Sequence, residues 1–90
     1  MIDLTTAVFT DHAFRQMARR GLAERDVWHV LAAPDAVRQV RPGRVVAQKI
    51  LHIGELAHET LVRVFVDIDR MPLEIVTTYR TSKLVKYRSV

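Results

Sequence analysis

Residues 10–22, TDHAFRQMARRGL, carry a complete helix signature and decide how the rest of the chain is read. Thr10 has the hydroxyl that an N-cap needs, Asp11 puts negative charge in the first turn, and Gly21 follows Arg19 and Arg20 where a left-handed C-cap is expected. The signature predicts a helix over 11–20. A second helix is predicted over 24–32, with Glu24 and Asp26 early, Val27, Val30 and Leu31 as an apolar stripe, and Pro34 as the stop. The two make a helical hairpin.

Beyond Pro34 the period falls toward two and β-branched residues become dense, so the remainder reads as strands. AVRQV (36–40) is followed by the turn RPGR (41–44), whose Pro-Gly pair suits type II geometry. RVVAQKILHI (44–53) and LVRVFVDI (61–68) are joined through Gly54, and LEIVTTYR (73–80) follows a turn at Asp69 to Pro72. In the middle strand Val62, Val64, Val66 and Ile68 share a face expected to lie under the helices, while Leu61, Arg63, Phe65 and Asp67 share the other. The expectation is a single α+β domain over residues 1–90: two layers, an N-terminal helical hairpin packed on an antiparallel sheet of about four strands. TSKLVKYRSV (81–90) is expected to extend the last strand or cross the sheet.

Ninety residues, 49% apolar and 27% charged, suffice for one modest core and are too apolar for disorder. No stretch approaches the roughly 18 apolar residues of a membrane span, and MIDLTTAVFTDH lacks the basic-then-apolar order of a signal peptide, so a cytoplasmic protein without membrane association is expected. The absence of cysteine removes disulfides, thiolate chemistry and cysteine-ligated zinc. A net charge of +4 favours polyanions or an acidic partner.

Helical spacing sets His12, Arg15, Gln16 and Arg19 along one side of the first helix. For Arg15 and Arg19 a solvated face is an adequate account, and Arg20 can pair an acid such as Asp26. His12 differs, because the positive end of the helix dipole in the first turn favours neutral, base-competent imidazole. In the second half Lys49, Arg63, Arg80, Lys83, Lys86 and Arg88 are spread over neighbouring strands with Tyr79 and Tyr87 among them. Cations interleaved with rings can hold phosphates while bases stack, although strand surfaces and edges carry such residues for solubility alone. Arg63, set among Val62, Val64 and Phe65, calls for an acid such as Asp67 or Glu74, or for a groove open to water. Tyr79 reads equally as core or contact. His52 and His58 lack a metal-ligand spacing, no glycine-rich phosphate loop is present, and Ser82 and Lys83, adjacent on a strand, point apart. No metal or cofactor is expected.

The run TDHAFRQMARRGLAERDVWHVLAAPDAV (10–37), a valine-rich strand and the ending IVTTYRTSKLVKY (75–87) resemble a small bacterial family of unknown-function domains. That family carries an "HA…M…RG[IL]…DV…L…P" hairpin and a "TxYxTSK" strand, and is usually grouped with RelE-like and BrnT-like toxins of toxin–antitoxin pairs. His12, Ala13, Met17, Arg20, Gly21, Leu22, Asp26, Val27, Leu31, Pro34, Tyr79, Thr81, Ser82 and Lys83 match. Gln16 stands where family members often carry arginine, and Ala23 where they carry Ser or Thr, which weakens the second helix's cap. The resemblance implies a RelE-like fold and a metal-independent endoribonuclease toxin that cleaves RNA by 2′-hydroxyl attack and is held inactive by an acidic antitoxin. In that role His12 is base or acid, Arg63, Arg80 and Lys83 grip the phosphate, and Arg15, Arg19, Lys49, Tyr79, Lys86 and Tyr87 contact RNA. The alternative is a noncatalytic RNA- or protein-binding module of the same fold. A third reading has an exposed strand edge pairing with a second copy, as a homodimer, or with an antitoxin segment. The ribonuclease expectation requires His12 and the strand cations to share one hollow.

Overall fold

The computed structural model describes residues 2–84. A 3-10 turn (Leu4–Thr6) leads to β1 (Val8–Phe9), α1 (Asp11–Arg20), α2 (Glu24–Ala32), β2 (Ala36–Arg41), β3 (Arg44–Ile53), β4 (His58–Asp67) and β5 (Glu74–Thr81). The strands form one sheet in the order β1-β5-β4-β3-β2. The fold is α+β as expected, with five strands in place of about four. The added strand, β1, runs parallel to β5 through Val8 against Glu74 and Phe9 against Ile75, so the sheet is mixed. Two residues are too few to show a period, which is why β1 leaves no trace in the sequence pattern.

Both ends of α1 are built as its residues dictate. Thr10 Oγ1 accepts the Ala13 N–H at 3.1 Å and donates to the Ile75 carbonyl at 2.9 Å, capping the helix and fastening it to β5 together. At the far end Gly21 takes φ +66°, and the Leu22 N–H returns to the Met17 carbonyl at 2.9 Å. Only glycine adopts that conformation without strain. Helix α2 starts less well. Ala23 has no side-chain acceptor, and its one reciprocal bond is Asp26 Oδ2 accepting the Ala23 N–H at 3.0 Å.

The central strand sorts the sheet's faces. Val62, Val64 and Val66 are fully buried and, with Ala47, Leu51 and Ile75, meet Ala13, Met17, Val27, Val30 and Leu31 from the helices. Phe9 stacks on Phe14 at 4.7 Å and meets Trp28 edge-on at 5.2 Å, an aromatic bridge between the first strand and both helices. The other face is less open than the alternation alone suggests, because Val46, Leu61 and Asp67 are also buried there. β4 and β5 pair antiparallel with one irregularity: Val66 faces Ile75 but Phe65 faces Thr77, so Val76 is an extra residue. As a result Thr78 and Arg80 stand on the helix side, opposite Val64 and Val62, while Tyr79 stands opposite Arg63 on the far side.

Asp67, only 3% exposed, is the electrostatic centre of the β2–β3 and β4–β5 end of the sheet. Arg44 donates to it twice, at 2.6 Å and 3.2 Å, and Arg70 and Arg41 approach at 3.8 Å and 3.9 Å. These donors, Arg44 first, hold its carboxyl below the ordinary range. The acid sought for Arg63 is therefore engaged elsewhere, and Glu74 pairs Arg70 at 3.4 Å.

Three outcomes follow from these contacts. Ala23→Ser should supply the missing cap and raise stability by about 1 kcal/mol, read as a melting midpoint about 4–8 °C higher. Thr78→Val should also stabilise, by about 1 kcal/mol, because the buried Thr78 hydroxyl has no hydrogen-bond partner among the described residues. Asp67→Asn should cost about 2–3 kcal/mol at neutral pH. Since the folded carboxyl titrates below its unfolded value near 3.9, Asp67's contribution is complete above that value and disappears as pH falls through the lower folded one. Denaturant titrations should show a constant gap between wild type and Asp67→Asn from pH 5 to 8, closing only below about pH 4.

Candidate functional site

The expected site residues divide among three regions. His12 lies exposed in the first turn of α1, near the Thr10–Ile75 junction. Arg80 lies at the opposite end, its guanidinium donating to the Gly21 carbonyl at 3.1 Å. At 1.5 Å rise per residue the backbones at positions 12 and 21 are separated by about 13 Å. Arg63 is on the sheet face turned away from both helices, alternating with Val62 and Val64. His12 and Arg63 therefore occupy opposite sides of the sheet, and the single hollow that the ribonuclease expectation requires does not form. The physical reason is the strict alternation of β4: packing its valines under the helices turns Arg63 outward.

Lys49 belongs to the structural frame. Its Nζ donates to the Ala33 carbonyl at 2.8 Å and to Asp35 Oδ1 at 3.3 Å, tying the segment after α2 to β3. The Ile50 N–H, donating to Asp35 Oδ2 at 3.1 Å, is the main cause of that carboxyl's lowered pKa, with Lys49 adding to it. Arg15 and Arg19 are exposed on α1. Lys86 and Tyr87 lie outside the described residues.

What the fold does bring together is a corner where the end of α1 meets the end of β5. Arg20 reaches around the β5 edge and lays its guanidinium over the Tyr79 ring, 5.0 Å from its centroid. Tyr79 stands opposite Arg63, whose guanidinium is 6.0 Å from the Phe65 ring. Arg80, behind Tyr79, braces the helix end, Arg19 is exposed beside Arg20, and Lys83 is exposed just past the strand, its N–H held by Thr81 Oγ1 at 3.1 Å. By register the acid nearest this end of the far face is Glu59, two residues before Leu61. The corner thus gathers Arg19, Arg20, Arg80 and Lys83, with Glu24 and Asp26 following in the first turn of α2.

Arg20 was expected to pair Asp26; instead Asp26 closes the start of α2 and Arg20 stacks. Among the described residues Arg20 has no hydrogen bond or ion pair, so all five of its N–H donors are unspent and oriented by the ring. Sequence reading missed this residue because its partner is 59 positions away and no local spacing announces the pair. Such an arrangement can bind an anion in a fixed direction beside an aromatic plane. No three His, Asp or Glu side chains among the described residues gather as metal ligands, and no described helix is long and apolar enough to cross a membrane.

No curated protein and no solved structure matches the chain. A family profile does, from Phe9 to Arg80, taking in both helices and the whole of β2, β3 and β4. By that match over residues 9–80 of the 90, the chain belongs to the DUF4258 family, described as a domain of unknown function.

Proposed function

We propose that this chain binds RNA at the corner between α1 and β5, with Arg20, Arg80 and Lys83 on phosphates and Tyr79 as the aromatic plane. The observation that carries the reading is Arg20, held over Tyr79 at 5.0 Å with its donors unspent. Scattered arginines would serve solubility as well; a guanidinium oriented by a ring, beside a second one anchored to a helix carbonyl, is preorganised for a phosphate. Single-stranded RNA supplies both the charge and the exposed base such a corner fits.

The metal-independent endoribonuclease toxin, with its acidic antitoxin, is the second reading and rests on the RelE-like and BrnT-like resemblance. In it the 2′-hydroxyl passes its proton to water as it attacks the phosphorus, the 5′-oxygen leaves protonated by water, and Arg80 and Lys83 stabilise charge on the phosphorane. His12, at the other end of α1, takes no part in either reading.

Anisotropy of a fluorescein-labelled, single-stranded RNA 12-mer tests both. Arg20→Ala and Tyr79→Ala should each weaken binding about tenfold, within the 1–3 kcal/mol typical of base–aromatic contacts, while His12→Ala stays within about twofold. With about three phosphates contacted, log affinity should fall against log salt with a slope near −2. Products ending in 2′,3′-cyclic phosphate, lost in Lys83→Ala and retained in His12→Ala, would establish the nuclease; binding without cleavage would leave the module. Absence of binding at low salt, or binding by Arg20→Ala and Tyr79→Ala unchanged from wild type, would overturn the proposal.

A further inference from the structure

The opposite edge of the sheet has a different chemistry. β2 is paired only with β3, so among the described residues its outer side has no ladder partner. Open edges in monomers are commonly shielded by charge, bulges or brevity, and β2 has some of this: two arginines and an irregularity between Gln39 and Arg41. It also has what shielding does not explain. Val37 and Val40 are 47% and 50% exposed, and Val37 borders an apolar hollow of about 550 Å³ lined by Ile2, Leu31, Pro34, Val45 and Ile68. Asp3 is the acid in that lining, and its carboxylate is turned back to accept the Thr5 N–H and hydroxyl.

The pleat divides the edge by face. Val37, opposite Ala47, is on the helix side beside the hollow; Arg38, opposite Val46, is on the far side and makes no ion pair among the described residues. Arg41 shares Asp67 with Arg44 and Arg70, so that carboxylate is outnumbered. A strand added along Ala36–Gln39 would thus set one row of its side chains over an apolar hollow and the alternate row against guanidinium groups.

We propose that the β2 edge is a docking site for an extended segment of an acidic partner protein, alternating apolar and carboxylate side chains. The apolar row fills the hollow behind Val37 and the carboxylates meet Arg38 and Arg41. A second copy of this chain is a poor occupant, because antiparallel β2–β2 pairing would crowd Arg38 and Arg41 of each copy together. The nearby acid that could relieve them, Asp35, is already held by Lys49 and Ile50. This site stands whether or not the α1–β5 corner binds RNA.

The test uses a fluorescein-labelled peptide of four Val-Glu repeats, the same composition in two blocks, and four Val-Lys repeats, each titrated into the full chain. The alternating Glu peptide should bind at least tenfold more tightly than the block peptide, weaken with salt, and slow amide hydrogen exchange over residues 36–40. Val37→Glu should abolish that binding; Arg38→Glu should weaken it at least tenfold and favour the Lys peptide, both variants keeping wild-type melting midpoints. No difference between alternating and block peptides, protection elsewhere than β2, or protection of 36–40 in the free chain with a dimer in sedimentation, would overturn the proposal.

Discussion

One extra residue in β5 governs what each side of this molecule presents. Up to Ile75 the strand is in phase with the core, and Val76 then inserts itself before Thr77 meets Phe65. Without that slip every later side chain would change face, since strand alternation allows no intermediate phase. Tyr79 would turn under α1 and Arg80 outward. The helix would lose the guanidinium that meets its terminal carbonyl, and Arg20 would lose the ring it rests on. The corner that we take as the RNA site is therefore a product of a bulge, a device that commonly re-aims a side chain at a sheet's rim.

This also marks where sequence reading succeeds and stops. Both helices are legible, because three of their four ends are written locally: Thr10 with Asp11, Gly21 after two arginines, Pro34 after an apolar stripe. The valine alternation of β4 assigns the buried face correctly for the same reason. In LEIVTTYR an unbroken period of two would put Leu73, Ile75 and Tyr79 together, which is why Tyr79 reads equally as core or contact until the bulge is seen. The expected meeting of His12 with Arg63 fails for a related reason. It depends on which side of a sheet a helix covers, a relation between elements far apart in the chain that composition does not encode.

The arginines fall into two populations that charge counting merges. Arg44 and Arg70 are committed to the fold, bound to Asp67 and Glu74, and Arg80 gives one donor to a helix end while keeping others for a ligand. Arg20 and Arg38 are not, and they lie toward opposite edges of the sheet, one beside a ring and the other beside exposed valines. The net +4 is thus less informative than its distribution. Two unspent guanidinium groups in unlike surroundings point to unlike ligands, a stacked nucleotide in one case and an apolar, acidic peptide in the other.

The fastening of α1 to β5 at both ends also sets an order of assembly during synthesis. Thr10 waits for Ile75 and Gly21 for Arg80, partners 65 and 59 positions further along the chain. A nascent chain emerging from its N-terminus lacks these two fastenings of α1 until β5 has left the ribosome. The seat of the helix that carries Arg20 therefore needs β5, and the surface it builds with Tyr79 forms only once both elements are in place.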